Sequence, residues 1–244
     1  MSGICHLSCI AMRKEPSHRA EMVSQLIYGE KYEVLEKETE WLKIKCEFDN
    51  YEGYMPKNQY YEFDFENESL IFIGGLGNDE VNNIIPKGAE IYDTETLVEV
   101  EEEDLMDLRH IHFTPDQLKE NIFSHSTSLI NTPYLWGGRT PWGMDCSGFT
   151  QLIFKVCGMA LPRDSSQQAL LGESISLGDS GLGDLAFFTN EKGIVNHVGI
   201  VFGNQMIIHC SGQVRVDLLN MNGIINLDTK LKTHSLHSIK RIIS

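Results

Sequence analysis

Residues 134–157, reading YLWGGRTPWGMDCSGFTQLIFKVC, constrain the fold more than any other stretch. From Ser147 onward the apolar side chains fall at Phe149, Leu152, Ile153, Val156 and Cys157, the three-and-four spacing of an amphipathic helix with one buried face. Gly158 suits the left-handed residue that ends such a helix. Asp145 is a good N-cap type directly before Cys146, so the thiol falls in the first turn, where unpaired amides and the helix dipole favour an anion. A cysteine placed there is expected to ionise more easily, and the thiolate is the nucleophile.

A thiol nucleophile needs a base, and the strand candidates downstream are where to look for one. Runs at 184–189, 196–202, 206–209 and 214–219 and a terminal run through 242 read as an antiparallel sheet. His197 and His209 lie on two of these runs. Side chains of paired strands share a face only when their residue numbers sum to the parity of the opposed pairs, and this sum is even. A two-residue turn at Gly203-Asn204 gives odd sums and separates the rings. A three-residue turn, Gly203 to Gln205, or a bulge brings them together as diagonal neighbours. An odd loop or a bulge is therefore expected, with His197 as the base and His209 fixing its tautomer and orientation.

The blocks YLWGG, DCSG, RDSSQQ, GDLAFF, NHVGI and IIHCS, in that order over residues 120–244, resemble the NlpC-type cell-wall cysteine peptidases, a compact papain-like family. The resemblance implies a helix bearing Cys146 packed on an antiparallel sheet, with histidine where papain-like triads often use an amide. It also implies an oxyanion site made by the Cys146 amide and the Tyr134 hydroxyl.

Ahead of this half, short strand-like runs at 22–28, 32–36, 41–46 and 51–55 suggest a small barrel. The stretch SQLIYGEKYEVLEKETEWLKIKCEFDNYEGYM resembles a bacterial SH3-like domain, with Tyr54 where that family commonly has tryptophan. Residues 66–113, with GGLG and Pro86-Lys87-Gly88, read as a second, degenerate barrel, and Glu101 to Asp104 as a solvated loop. Thr114, Pro115 and Gln117 form a helix start, with Leu118, Ile122 and Leu129 on its buried face. The expected class is thus α+β: an SH3-like domain over 1–62, a second degenerate one or linker module over 63–113, and a peptidase domain over 114–244.

Related enzymes with SH3-like domains in front cleave the bond between the D-glutamate side-chain carboxyl and a diamino acid in murein peptides, and some recognise the free amine of a preceding L-alanine. The resemblance implies that Asp164 and Ser165 bind that amine and that Ser147, beside Asp145, binds the D-glutamate carboxylate. Glu21 and either Tyr51 or Tyr54 are the candidates from the barrel. The expected activity is hydrolysis of L-Ala-γ-D-Glu-L-diamino acid during wall-peptide recycling. The rivals are an exported wall-lytic endopeptidase or amidase, a thiol acyltransferase, and a binding protein without catalysis.

The charge distribution would tolerate a cationic ligand, and most of the excess reads as solvated acidic surface. Residues 1–113 carry 25 Asp/Glu against 10 Lys/Arg, whereas residues 114–244 carry 10 of each, so the front half holds the whole net charge of −15. Such a surface disfavours nucleic acid and anionic membranes. Cys5, His6 and Cys9 are close together, but no second ligand pair at zinc-finger spacing follows, so neither metal nor cofactor is expected. The start, MSGICHLSCIAMRKEPS, lacks a long apolar core after a basic head. A cytoplasmic monomer is expected, or an exported protein if a leader has been removed.

Overall fold

In a computed structural model, which describes residues 1–62, 69–98 and 100–243, the front of the chain folds as six strands. These are β1 (Ser2–Ile4), β2 (Cys9–Arg13), β3 (Met22–Ile27), β4 (Lys31–Lys37), β5 (Trp41–Cys46) and β6 (Glu52–Pro56). They form one antiparallel sheet in the order β1-β4-β5-β6-β2-β3. Alternation sends Ile10, Met12, Leu26, Tyr32, Ile44 and Met55 into a single core. β1 and β2 add to the four expected strands.

Where a second barrel is expected, the described residues form two three-stranded sheets. One joins β7 (Leu70–Phe72) to β10 (Glu90–Ile91) and β12 (Leu105–Met106); the other joins β8 (Leu76–Asp79) to β9 (Ile84–Pro86) and β11 (Leu97–Val98). The boundary expected between residues 62 and 63 falls at the edge of the described residues. Phe72, Ile85 and Ile91 do not make a core of their own but join the main one, beside Leu152 and Val156.

Helix α1 (Pro115–Ser128) starts on a capping box: Thr114 Oγ1 accepts from the Gln117 amide at 3.3 Å and Gln117 Oε1 accepts from the Thr114 amide at 2.9 Å. A two-residue hairpin pair, β13 (Arg139–Thr140) and β14 (Gly143–Met144), then leads into α2 (Cys146–Val156). Gly158, at φ 80°, follows the C-cap.

The expectation of one buried face on α2 needs correcting, because every residue from Cys146 to Val156 is buried. The apolar side packs Phe149, Leu152 and Ile153 into the main core, each contributing about 1.5–3 kcal/mol. The polar side meets other parts of the chain instead of water: Gln151 donates to Asp49 at 2.9 Å, Thr150 to Gln168 at 2.8 Å, and Lys155 to Glu30 at 2.8 Å.

Glu30, at the turn after β3, is the centre of that contact. Arg139 donates to both its oxygens at 2.9 Å, and Lys155 bridges it to Glu90 at 2.9 Å. Burial alone would raise the Glu30 carboxyl, but Arg139 and Lys155 outweigh it and hold it at about 2.

After the short α3 (Ser165–Gln168), strands β15 (Glu173–Ile175), β16 (Leu185–Thr189), β17 (Val195–Gly203), β18 (Met206–Ser211), β19 (Gln213–Asn220), β20 (Gly223–Ile225) and β21 (Lys232–Arg241) complete the chain. Their order is β15-β21-β16-β17-β18-β19-β20, and β20 also pairs with β21, so six strands close into a ring. Inside it lie Ala186, Phe188, Val201, Ile207, Leu219, Ile224 and Ile239, one or two from each strand. The outer residues, among them Leu185, Phe187, Val198, Ile200 and Ile208, face α1 and α2. Among the described residues no helix is long and apolar enough to cross a membrane.

Removing one partner from a buried ion network leaves the others uncompensated. Glu30→Ala is expected to lower the unfolding free energy by about 3–5 kcal/mol, as read from denaturant titration.

Candidate active site

The ring brings the two histidines together by a bulge. Val201 pairs with Ile207 and Gly203 with Met206, so Phe202 is the extra residue. The turn itself is Asn204-Gln205, at φ 49° and 61°, one residue later than the two-residue alternative considered from the sequence. Gly199 consequently stands opposite His209, and His197 is its diagonal neighbour on the same inner face. His197 Nε2 lies 2.8 Å from His209 Nδ1.

Gly199 is required there. A Cβ at that position would come within 2.8 Å of the His209 Cβ and 2.9 Å of the Ile208 carbonyl.

Two more residues join the pair. Asp217 on β19 is buried, and its Oδ2 lies 3.0 Å from His209 Nε2. His234, supplied by the closing strand β21, stacks on His197 with ring centroids 4.0 Å apart and 22° between planes. Neither is among the site residues expected from the sequence. Parity could have found Asp217, since 209 and 217 sum to an even number, as do the opposed pairs of the β18–β19 ladder. His234 depends on ring closure, for which no local signal exists. The ligating nitrogens of His197, His209 and His234 lie within 4.8 Å of one another. Stacked rings, however, point their in-plane lone pairs side by side, whereas a metal needs them to converge.

Cys146 occupies the first turn of α2, with Asp145 as N-cap accepting from the Gly148 amide at 2.7 Å. Its sulfur lies 4.0 Å from the carbonyl oxygen of Asn196, the residue preceding His197. The expectation of an easily ionised thiol is overturned. Burial pushes the Cys146 thiol up to about 12, the Asp145 carboxylate adds to the rise, and the amides of Val198 and Ser147 and the Arg163 charge offset only part of it. Burial likewise drives His197 well below the ordinary histidine range, with His234 and His209 adding to the fall. Both shifts favour the uncharged forms, thiol at Cys146 and imidazole at His197.

Cys146 opens onto a cleft of ≈ 480 Å³ whose walls come from both ends of the chain. Asp145, Ser147, Asp164 and Ser165 line it, as do Glu21 and Tyr51 from the front sheet. Tyr54 is not among the lining residues; its backbone pairs with Lys43 and Arg13 in the front sheet. Glu21 is held by Trp136, whose indole donates to it at 2.8 Å. Gly137 lets the two parts approach, since at φ 78° a Cβ would lie 2.4 Å from the Met22 carbonyl. Asp145 faces inward: Arg163 donates to both its oxygens at 3.0 and 2.6 Å and the Gly137 amide at 2.9 Å. Arg163 also donates to Ser147 at 2.9 Å.

Burial raises the Asp164 carboxyl, with Arg163 opposing and Asp145 reinforcing, and Tyr51 hydrogen-bonds to it. Tyr51 is itself pushed up to about 12, by burial first and the Asp164 charge second. Tyr134 is partly exposed, and burial together with the neighbouring Cys146 and Asp145 raises its phenol.

A family model described as the NlpC/P60 family matches residues 131–232, and one described as the bacterial dipeptidyl-peptidase SH3 domain matches residues 12–59. Residues 131–232 belong to the NlpC/P60 family. The chain is 42% identical over 92 residues to a protein of Bacillus subtilis named gamma-D-glutamyl-L-lysine dipeptidyl-peptidase, an alignment covering 37% of this chain and 31% of that one. With dipeptidyl-peptidase 6 of Lysinibacillus sphaericus it shares 26% identity over 231 residues, 81% of this chain and 83% of the relative. The matched segments span about a third of the first two curated relatives, 31% and 33% of their lengths. The fold is that of a crystal structure of an NlpC/P60 family protein from Bacillus cereus, with TM-score 0.83, 18% identity and 100% of both chains covered.

Two outcomes follow from the geometry. Because the Cys146 thiol is pushed up, its alkylation by iodoacetamide, read by mass spectrometry, should keep rising about tenfold per pH unit from 7 toward 10, without the low-pH plateau of an ion-paired thiolate. Gly199→Ala should displace the His209 ring and alter the imidazole resonances of both His197 and His209 in NMR spectra, while the far-ultraviolet circular dichroism stays unchanged.

Proposed function

We propose that the chain is a cysteine peptidase that hydrolyses the γ-D-glutamyl bond to an L-diamino acid in freed murein peptides bearing an N-terminal L-alanine, inside the cell. One observation carries the reading: Glu21 and Tyr51 of the front sheet share a single cleft with Cys146 and Asp164. The names of the relatives support the bond type.

In this reading the Cys146 sulfur attacks the γ-carbonyl carbon as its proton passes to His197, so the ion pair forms only during reaction. That order agrees with the uncharged forms that burial favours at Cys146 and His197. The oxyanion is held by the Cys146 amide at the helix N-terminus and by the Tyr134 hydroxyl, each donor worth about 3 kcal/mol. His209 keeps the His197 ring in place. His197 returns the proton to the leaving amine, and water, deprotonated by His197, resolves the thioester and releases Cys146 as the thiol.

Substrate length is set by the walls. The L-alanine ammonium sits against Asp164, Ser165, Tyr51 and Glu21, where the cleft is acidic. The D-glutamate α-carboxylate sits against Ser147, beside the Arg163 guanidinium that Asp145 fixes in place. A blocked amine would leave the half-buried Asp164 carboxylate without the ammonium the cleft is built to take, which costs more than the lost contact itself.

Incubation with L-Ala-γ-D-Glu-L-Lys and with its N-acetylated form, followed by mass analysis, tests the reading. The free tripeptide should give the L-Ala-D-Glu dipeptide and lysine, the acetylated one should react at least about 100-fold more slowly, and Cys146→Ala should abolish turnover. Equal rates on the two peptides, or on intact crosslinked wall, would overturn it.

A further inference from the structure

His209 stands between two partners of different chemistry. Its Nδ1 faces His197 Nε2 at 2.8 Å and its Nε2 faces Asp217 Oδ2 at 3.0 Å. Asp217 is fully buried, and its remaining lone pairs are filled by donors. Arg215 Nε donates to Oδ2 at 2.9 Å, Arg215 Nη2 to Oδ1 at 3.0 Å, and the Leu227 amide to Oδ1 at 2.8 Å. Burial works against the charge, but the bonds from His209, Arg215 and Leu227 prevail and hold the carboxyl at about 2. An ionised carboxylate only accepts.

Counting protons along the chain then fixes every position. His209 Nε2 faces a carboxylate and must carry hydrogen. The neutral form of His209 therefore holds its one proton on Nε2. Its Nδ1 is therefore bare and accepts from His197 Nε2–H. His197 is neutral too, which leaves its Nδ1 as the single unprotonated nitrogen outside the chain of bonds. We infer that Asp217 is a positioning residue that dictates, through His209, which nitrogen of His197 offers its lone pair to the Cys146 thiol; this rests on the proposed roles of Cys146 and His197.

Without the carboxylate, two hydrogen-bonded imidazoles are nearly indifferent to the direction of the bond between them. In the reversed arrangement His209 Nδ1–H donates to His197 Nε2, His197 carries its proton on Nδ1, and the thiol meets an N–H that cannot accept. Asp217 removes that arrangement. It also gives the imidazolium formed at His197 during reaction an oriented dipole and, one ring further on, a negative charge.

The test uses the full chain with ¹⁵N-labelled histidine and long-range proton–nitrogen spectra, which separate protonated from bare ring nitrogens. In the wild type both His197 and His209 should bear hydrogen on Nε2 alone. Asp217→Asn can keep its oxygen toward Leu227 and turn its NH₂ to His209, which should invert both tautomers. Turnover of L-Ala-γ-D-Glu-L-Lys should then fall about 10²–10⁴-fold in kcat with KM within about twofold. Asp228→Asn, which removes the other carboxylate on Arg215, 2.7 Å from Nη2, should change neither. A wild-type His209 protonated on Nδ1 or on both nitrogens overturns the inference, as does an Asp217→Asn protein with unchanged tautomers or unchanged kcat. If that variant does not fold, the wild-type spectrum decides alone. If the wild-type protein cleaves no such peptide, the peptidase reading fails separately, while the tautomers still report on Asp217.

Discussion

Four charged side chains, Glu30, Arg139, Lys155 and Glu90, meet out of water and leave no net charge between them. Each comes from a different part of the chain: the turn after β3, the strand β13 ahead of α2, α2 itself and β10. Charges withdrawn from solvent are tolerated only when partners hold them in good geometry, so this cluster has little freedom to slide. The position of α2 relative to the front sheet follows from it, and so does the shape of the cleft. An apolar contact of equal area would have permitted many relative placements; a bidentate guanidinium permits few.

The same restraint explains why a helix that reads as amphipathic is buried on every side. Gln151 and Lys155 are polar because they face Asp49 and Glu30, not because they face water. The burial then reaches the chemistry. With α2 covered, the Cys146 sulfur loses the solvent that would stabilise a thiolate, and the first-turn amides do not make up the difference. The histidine pair is held equally dry on the inner face of the ring. Burial thus favours the uncharged forms at both places, the state from which the proposed proton transfer starts.

Much of this was legible in the residues. The capping box at Thr114 and Gln117, the N-cap at Asp145 and the stop at Gly158 are local chemistry and lie where the chain itself indicates. The even sum of 197 and 209 demanded a bulge or an odd loop, because side-chain alternation leaves no other way to share a face. What escaped notice depends on contacts between distant segments. Burial of the thiol needs the front sheet against α2; His234 needs the ring closed; the two sheets after residue 69 borrow their core from α2. Asp217 was within reach of the parity argument, but nothing in a run such as VRVD marks an aspartate as inward-facing until the β18–β19 ladder is known.

Closure of the ring by β20 and β21 has a further bearing on how the protein comes into being. Residues 232–241 leave the ribosome after Cys146, His197, His209 and Asp217, yet they supply the ring that stacks on His197 and one wall of the dry interior. Until that last strand emerges, the histidines remain wet and unstacked on an open sheet. A partly synthesised chain that has not reached residue 232 thus holds Cys146, His197, His209 and Asp217 without the surroundings that the closed ring gives them.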